Sequence, residues 1–461
     1  MAFLPIYLLI LVVTIVVDYF AGIYIEKAIN KKRKVYLIVS LITNIGFLCF
    51  FKYYDFVVEN INVALSINLP LLKDLWISSW IVNYNNIING HLNQWIGTDL
   101  SILRNVILPI GLSFHTFQAM SYTIEVYRGK QKAEKHFGIY ALYVMFYPQL
   151  VAGPIERPQN LLHQFWERHY IEYSRIVNGL KLMLFGLFKK VVIADRLALY
   201  VNSVYNHAEY HTGLTLLIAT IFFAFQIYCD FSAYSDIAIG AAKVMGFNLM
   251  TNFNRPYFSK NISEFWKRWH ISLSSWFADY LYIPLGGNRV TIPRWFFNLF
   301  IVFLISGVWH GANWTFIIWG VINGLYLISA IIFNKKRERF YKFIGINEHS
   351  VLFRFYQIAT TFILTSFAWI FFRANNLDNA FTIIKRISKF DEPIWSESPS
   401  LMIYSLMGIF LLLSIEYIKE YKKVVPYISN PIFKYSVYVF LVLCILLFGV
   451  FDGGQFIYFQ F

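Results

Sequence analysis

The chain has 461 residues, of which 58% are hydrophobic, 20% aromatic and only 14% charged, and its mean hydropathy is +0.52. Soluble proteins carry roughly a quarter charged residues, so this composition excludes an ordinary soluble domain and indicates a polytopic membrane protein. The net charge of +14 does not indicate nucleic-acid binding, because the basic residues cluster in short connectors between apolar runs, as in cytoplasmic loops.

A transmembrane helix needs about 20 apolar residues. Clear runs lie at 3–25, 35–54, 101–127, 176–203, 213–230, 292–309, 313–333, 351–372, 401–418 and 433–452. Weaker or interrupted runs lie at 137–152, 232–247 and 269–285. The first run lacks a small-residue cleavage site and is expected to stay as a span. The pattern predicts an all-α polytopic integral membrane protein with about 10–12 transmembrane helices plus re-entrant or interfacial segments.

The basic connectors predict the orientation. Connectors 31–34, 128–135, 334–342 and 419–423 are rich in Lys and Arg and are expected in the cytoplasm. The N-terminus and the C-terminal tail then lie outside. The centre, 137–290, contains several prolines and many polar residues. Irregular backbone at membrane depth is tolerated where protein buries it or where it lines a cavity, so this centre predicts a chamber.

Polar side chains interrupt two otherwise apolar stretches in the first half of the sequence. Stretch 108–130 carries Ser113, His115, Gln118, Ser121, Tyr122 and Glu125. Side chains three or four apart share a helix face, and this set suits either hydrogen bonds between packed helices or the lining of a cavity. In 148–160, Glu156 and Arg157 stand between two prolines, which fits a gate, a headgroup-level clamp or a plain loop.

Two more stretches follow in the second half. In 226–247, Asp230 and Asp236 bracket Ser232; carboxylates in apolar surroundings need partners, so they either pair with Lys or Arg or orient a histidine. In 254–288, Asn261 followed by Glu264 predicts a helix start. That helix is expected to carry Trp266, Lys267, Arg268, Trp269 and His270, a set that suits a planar, phosphate-bearing ligand or the headgroup layer.

One histidine lies in a strongly apolar run. His310 stands between Trp309 and Gly311 within 302–320, and an ionisable residue at such depth is costly and is a functional candidate. A buried neutral imidazole can act as a general base; the alternative is a core histidine bonded to a neighbouring helix. Asn313, three residues on, is expected on the same helical face. Metal binding is not expected, because the three cysteines lack ligand spacing.

Five motifs in order resemble the membrane-bound O-acyltransferase (MBOAT) superfamily, and more narrowly its bacterial branch of alginate O-acetylase and the peptidoglycan O-acetyltransferase membrane subunit. They are SFHTFQAMSYTIEVYRG (113–129), GPIERP (153–158), YCDFSAYSDIAIG (228–240), FWKRWHISLSSW (265–276) and WHGANWTFIIWG (309–320). The resemblance runs from about residue 35 to the C-terminal FIYFQF. His115 stands where that branch is expected to have an aromatic residue.

The resemblance implies one MBOAT-type membrane domain over 1–461, with N-terminal spans in 1–54, a catalytic core in 101–333 and C-terminal spans in 351–461. Its helices would surround a central tunnel lined by Trp309, Gln118, Tyr122, Asp230, Ser232 and Asp236. His310 matches the family's catalytic histidine, and His270 its second motif histidine, toward the cytoplasmic mouth. Asn313 is then expected to take part in catalysis, where it would orient an acceptor hydroxyl or donate to the thioester carbonyl oxygen. Arg268, Trp269 and Lys267 are then expected to hold the coenzyme A end of the donor.

The implied activity is transfer of an acetyl group from cytoplasmic acetyl-CoA, through a bacterial cytoplasmic (inner) membrane, to an extracytoplasmic polysaccharide. No permanently bound cofactor and no nucleic acid are expected. The expected partners are membrane lipid and a periplasmic or surface acetyltransferase of the Ser-His-Asp (SGNH-like) type.

Two rival functions stay open. One is the D-alanyl transfer subunit for teichoic acids, whose donor is a carrier-protein thioester. The other is a polysaccharide exporter or flippase without chemistry; inverted repeats typical of transporters are not visible in this sequence.

Overall fold

The computed structural model describes residues 6–75, 77–84, 86–87, 111–390, 393–396, 398–421, 430–452 and 456. Regular structure within these residues is helical, without strands. The chain divides into two compact units, Met1–Tyr170 and Ile171–Phe461. The boundary falls inside the predicted catalytic core 101–333, and the single-domain organisation stays a prediction.

The described helices of the first unit are α1 (Ile6–Lys27), α2 (Lys31–Leu48), α3 (Tyr54–Leu65), α4 (Leu112–Tyr127), α5 (Phe137–Val144) and α6 (Pro158–Leu161). A π-helical turn, Cys49–Tyr53, joins α2 to α3, and 3₁₀ turns lie at Leu72–Asp74 and Leu162–Trp166.

A basic connector residue holds the ends of two helices of the first unit. The Arg33 guanidinium donates to the carbonyl oxygens of Ile25 at 3.1 Å and Tyr127 at 2.8 Å, which lie in the last turns of α1 and α4. The final carbonyls of a helix lack partners within it and attract cations. Ser40 of α2 also donates to Thr123 of α4 at 2.9 Å, so α1, α2 and α4 are joined by polar contacts.

The described helices of the second unit are α7 (Tyr173–Phe188), α8 (Asp195–Tyr205), α9 (Gly213–Met245), α10 (Ile262–Arg268), α11 (Ile271–Phe277), α12 (Ile292–His310), α13 (Trp314–Phe343), α14 (Val351–Arg373), α15 (Leu377–Arg386), α16 (Pro399–Tyr421) and α17 (Pro431–Phe448). The π-helical segment Lys189–Ala194 joins α7 to α8, and a second one, Ala278–Tyr282, follows α11. Short 3₁₀ turns lie at Ala208–Tyr210 and Pro256–Phe258.

Seven helices within the described part of the chain are long and apolar enough to cross a membrane. They are Leu8–Lys27, Lys31–Leu65, Gly213–Met245, Ile292–His310, Trp314–Phe343, Val351–Arg373 and Pro399–Tyr421. These helices confirm the predicted all-α polytopic membrane protein. The first part of the predicted span 101–127, residues 101–110, lies outside the described residues.

The predicted division of 213–247 into two runs is wrong. Gly213–Met245 is one helix of 33 residues that ends at Gly246 with φ +104°. At 1.5 Å per residue it is about 50 Å long, more than the roughly 30 Å hydrocarbon layer. The polar residues that interrupt the hydropathy, Asp230, Ser232 and Asp236, stay in the helix because the π-helical segment that follows α7 provides lysine partners for them.

Glycines allow α7 and α9 to pack closely. A Cβ at Gly179 of α7 would lie 2.7 Å from the Gly240 carbonyl oxygen of α9, and one at Gly240 would lie 2.7 Å from the Gly179 oxygen. Small residues at a crossing let helix backbones approach, which strengthens van der Waals packing within a membrane. This crossing holds α9 against α7, and the π-helical segment that follows α7 carries the two lysines that pair with α9.

Candidate active site

His310 is the last residue of α12. Gly311 then adopts extended backbone, φ −169° and ψ 154°, and α13 begins at Trp314 with Asn313 as its N-cap. The Asn313 side chain accepts from the Thr315 amide at 3.0 Å and donates to the Asn375 carbonyl at 2.9 Å. The expectation that Asn313 and His310 share one helical face is therefore wrong, because the helix breaks between them and Asn313 caps the next one.

The close approach of α12 and α13 sets the position of His310. Gly307 of α12 faces the Phe316 carbonyl oxygen, and Gly320 of α13 faces the Phe303 carbonyl oxygen; a Cβ at either glycine would lie 2.4 Å from that oxygen. At Gly311 a Cβ would lie 2.2 Å from Cε2 of the Phe316 ring. The glycine of the Trp-His-Gly motif thus has a steric role, since any side chain there would displace that ring.

Aromatic rings enclose the His310 imidazole on two sides. The ring of Trp319 meets it edge to face with centroids 5.0 Å apart, and that of Phe372 meets it at 5.2 Å. Trp369 stacks on Trp319 at 5.8 Å and is itself buried. Trp309, predicted to line a tunnel, precedes His310 in the last turn of α12 and is partly exposed. The imidazole therefore lies in a largely apolar frame made by α12, α13 and α14.

His270 lies between two short helices rather than within one. The N-cap predicted at Asn261 is confirmed, since its side chain accepts from the Glu264 amide at 2.9 Å. The helix that starts there ends at Arg268, so the expectation that it carries Trp269 and His270 is wrong. His270 has φ +43°, a left-handed backbone conformation rare for residues with a side chain. The break turns the imidazole into the interior, where it is 3% exposed.

The two motif histidines of the second unit interact electrostatically. Burial, and then the field of His310, lower the pKa of His270 well below its usual value. The Phe231 ring meets the His270 imidazole edge to face at 4.5 Å, and that of Phe253 stacks on it at 6.2 Å. His270 is therefore a neutral imidazole near pH 7.

The predicted coenzyme A residues have different surroundings. The Arg268 guanidinium donates to Glu264 at 2.7 Å and to Glu420 of α16 at 2.9 Å. Trp269 is 2% exposed and stacks on Phe265 at 5.4 Å. Lys267 is exposed. Arg268 and Trp269 thus contact the protein itself, and their role toward a ligand stays a prediction.

The carboxylates of α9 pair with two consecutive lysines. Lys189 contacts Asp236 at 2.7 Å and donates to Ser232 at 2.7 Å, whereas Lys190 contacts Asp230 at 2.7 Å. Lys189 is 3% exposed, and a buried cation is retained where it is paired. Of the two alternatives for Asp230 and Asp236, the structure provides lysine pairing. The oxygen beside His270 belongs instead to Asn252, at 3.1 Å from Nδ1.

In the first unit, α4 is joined to the segment that follows it. Gln118 donates to the Tyr143 carbonyl at 2.6 Å, and the Tyr122 hydroxyl accepts from the Glu134 amide at 2.9 Å. Glu125 accepts from Gln159 at 2.7 Å, which brings stretch 108–130 against the Pro-rich stretch 148–160. These contacts are those expected for packed helices and loops, and the assignment of Gln118 and Tyr122 to a tunnel stays a prediction.

Sequence reasoning missed Asn252, Lys189 and Lys190. The two lysines interrupt an apolar run, and ionisable residues inside a span are a usable signal. Asn252 had no such signal, because its importance depends on contacts with His270 and Ser272, about 20 residues later in the chain.

The model of the membrane-bound O-acyltransferase family matches residues 76–372, a region that includes both motif histidines. Peptidoglycan O-acetyltransferase of Helicobacter pylori is 35% identical over 406 residues, which are 82% of this chain and 69% of that protein. Probable alginate O-acetylase of Pseudomonas syringae pv. tomato is 38% identical over 348 residues, 76% of this chain and 59% of that protein.

A more distant group of relatives differs in its named activity. Teichoic acid D-alanyltransferase of Bacillus subtilis is 27% identical over 281 residues, 58% of this chain and 69% of that protein. The O-acetyltransferase relatives therefore match this chain with higher identity and over a larger share of its length. The chain spans less than two thirds of the length of the Pseudomonas syringae relative.

Proposed function

Because the chain belongs to the membrane-bound O-acyltransferase family and is a multi-pass membrane acyltransferase, we propose that it transfers an acetyl group from cytoplasmic acetyl-CoA across the membrane for O-acetylation of an exported or cell-surface polysaccharide. The observation that carries this proposal is His310 at the end of α12, framed by Trp319 and Phe372. The named activities of the Helicobacter and Pseudomonas relatives support the acetyl group and a glycan acceptor.

In this proposal His310 is the general base. Its neutral imidazole takes the proton of an acceptor hydroxyl as that oxygen attacks the thioester carbonyl. The carbon–sulfur bond then breaks, the acetyl group stays on the oxygen, and the departing thiolate receives the proton from the imidazolium. Base catalysis of this kind contributes about 10²–10⁴-fold to a rate. The reaction is balanced without a metal or redox partner.

The donor would enter from the cytoplasmic side near α10. Lys267 is exposed and provides a positive charge for the phosphates of coenzyme A. Arg268 binds Glu264 and Glu420 and so fixes the helix that carries Lys267. Trp269 packs against the rings of Phe265 and Trp369 and fixes the end of the same helix. We thus assign the ligand contact to Lys267 and the support to Arg268 and Trp269.

The acetyl group would be received by a hydroxyl group for use on the extracytoplasmic side of the membrane. The chain would lie in a bacterial cytoplasmic membrane with its N-terminus outside, as the basic connectors indicate. The hydroxyl that attacks the thioester would belong either to the glycan or to the serine of an extracytoplasmic Ser-His-Asp acetyltransferase. In the second case the acetyl group reaches the glycan in a further transfer.

The teichoic acid relatives define the rival donor. Purified protein in proteoliposomes is supplied with radiolabelled acetyl-CoA or with radiolabelled D-alanyl carrier protein, together with cell-wall and exported-glycan acceptors and with an extracytoplasmic acetyltransferase of the Ser-His-Asp type. We expect labelled acetyl ester and free coenzyme A from the first donor only. Transfer from the carrier protein would instead support D-alanylation, and absence of transfer from both donors would support an exporter without chemistry.

Variants of two histidines test the assignment of the base. His310→Ala is expected to lower the transfer rate at least about 100-fold, the loss typical for a general base. His349→Ala is the matched control, because His349 is exposed in the connector before α14. Equal rates in the His310→Ala and His349→Ala proteins would refute the catalytic role of His310.

A further inference from the structure

Asn252 makes a concentrated set of contacts around His270. Its side chain is 0% exposed and lies on the segment between α9 and α10. Its Oδ1 lies 3.1 Å from His270 Nδ1, 3.2 Å from the Ser272 backbone nitrogen and 2.9 Å from Ser272 Oγ. Its Nδ2 donates to Ser235 Oγ of α9 at 3.1 Å. Both ends of the amide are thus used in the protein interior.

These contacts determine which end of the amide faces His270. The backbone nitrogen of Ser272 carries a hydrogen and can only donate. The Asn252 atom that it contacts must therefore be the oxygen, and the nitrogen must face Ser235. The orientation of an asparagine amide is usually inferred from its hydrogen bonds, and here one obligatory donor settles it.

The orientation of the amide in turn determines the tautomer of the imidazole. A carbonyl oxygen can only accept, so His270 Nδ1 must carry the hydrogen that lies between the two atoms. In a neutral imidazole the other nitrogen, Nε2, is then the hydrogen-bond acceptor. Burial keeps the pKa of His270 low, so this neutral form persists at physiological pH.

Asn252 also supports the unusual backbone at His270. The amide of Ile271, the next residue, donates to the Asn252 carbonyl oxygen at 2.9 Å. His270 itself has φ +43°, and a non-glycine residue holds such a conformation only where its surroundings enforce it. One asparagine therefore constrains both the backbone on which the imidazole stands and the ring itself.

We propose that Asn252 is the positioning residue that holds His270 in its Nδ1–H tautomer, in which Nε2 can accept a hydrogen bond but cannot donate one. This inference rests on the proposed function. It assigns proton delivery to the departing thiolate to His310, because a neutral His270 has no hydrogen on Nε2.

Nitrogen-15 NMR of the full-length protein in lipid nanodiscs, labelled at histidine, reads the tautomer without an activity assay. The His270 signals are identified by their loss in His270→Gln. We expect the Nδ1–H pattern in the wild type and in Asn252→Asp, which keeps an acceptor oxygen. In Asn252→Leu, which has no acceptor, we expect the Nε2–H pattern. A wild-type Nε2–H pattern would overturn the proposal.

Steady-state kinetics of the same proteins test whether the tautomer of His270 affects the transfer rate. Asn252→Leu is expected to lower kcat about 10-fold to 100-fold, the effect of one strong hydrogen bond, whereas Asn252→Asp retains kcat within a few-fold. The carboxylate of Asn252→Asp favours a protonated imidazole, so the acidic limb of its pH–rate profile moves about one pH unit upward. His310 is the titratable group that the structure places in the field of His270.

Ser235→Ala is the matched control, because it removes the partner of Asn252 Nδ2 and keeps the acceptor oxygen. We expect it to retain wild-type kcat and tautomer. A folded Asn252→Leu protein with wild-type kcat, or an unshifted pH profile in Asn252→Asp, would overturn the proposal. If the wild type transfers no acetyl group, the proposed function fails, and the NMR result alone then decides the assignment of Asn252.

Discussion

Replacement of Gly311 by alanine perturbs the histidine frame with the smallest possible side chain. The new Cβ would lie 2.2 Å from Cε2 and 2.3 Å from Cδ2 of Phe316, whereas carbon atoms pack best at about 3.5 Å or more. The ring must therefore retreat by about 1.3 Å. Phe316 contacts Phe372 at 5.0 Å, and Phe372 contacts His310 at 5.2 Å, so the displacement reaches the proposed base.

The expected cost of Gly311→Ala has two parts. Overpacking destabilises a folded protein by about 1–3 kcal/mol, and a misplacement of about 1 Å at a reacting group lowers its rate about 100-fold. Thermal unfolding in detergent measures the first part, and acetyl transfer in proteoliposomes measures the second. Because Gly311 has extended backbone, the effect is steric and does not come from φ strain.

Two comparisons isolate the steric cause. Gly46→Ala is the matched control, since a Cβ there would meet no atom within 4 Å, and it should leave both stability and transfer unchanged or slightly improved. In Gly311→Ala/Phe316→Leu the smaller side chain makes room, so part of the lost stability and activity should return. A Gly311→Ala protein with wild-type unfolding and transfer would refute the reasoning, and so would a double variant without any recovery.

Two further predictions concern the charged groups of the second unit. Lys189→Met breaks a buried ion pair and should lower the free energy of unfolding by about 3 kcal/mol, the low end for such pairs, because Asp236 is 24% exposed. Chemical denaturation should show that Lys189→Met/Asp236→Leu recovers part of this stability. An unchanged stability of the single variant would contradict the structural role of Lys189. Lys267→Gln should raise the KM for acetyl-CoA about tenfold at unchanged Tm. Arg268→Gln, which loses the ion pair with Glu420, should instead lower Tm. A raised KM at unchanged Tm in Arg268→Gln, with a lowered Tm in Lys267→Gln, would assign the ligand contact to Arg268.

The membrane architecture was largely predictable from the sequence, because a span is a local property of composition. The α12–α13 pair around His310 was expected at 292–309 and 313–333 and is observed at Ile292–His310 and Trp314–Phe343. The continuity of Gly213–Met245 was not predictable in this way. It depends on Lys189 and Lys190, which lie about 40 residues earlier in the chain and offset the charges that lower the local hydropathy.

The details of the candidate site depend on contacts that are distant in the sequence. His310 was recognisable because an isolated histidine in an apolar run is costly. The break at His270 and its acceptor oxygen were not, since both depend on Asn252, 18 residues away. Asn313 likewise followed His310 at a helical spacing, yet the extended backbone of Gly311 separates the two helices.

The most direct test of the proposed function is the O-acetyl content of exported glycans in cells. A strain that lacks this gene is complemented with the wild-type chain, with His310→Gln or with His349→Gln, and membrane levels of the three proteins are matched by immunoblot. Mass spectrometry of the cell-surface and exported polysaccharides should show O-acetyl esters with the wild type and with His349→Gln, and only the background of the deletion strain with His310→Gln. Full acetylation in the His310→Gln strain would contradict the account.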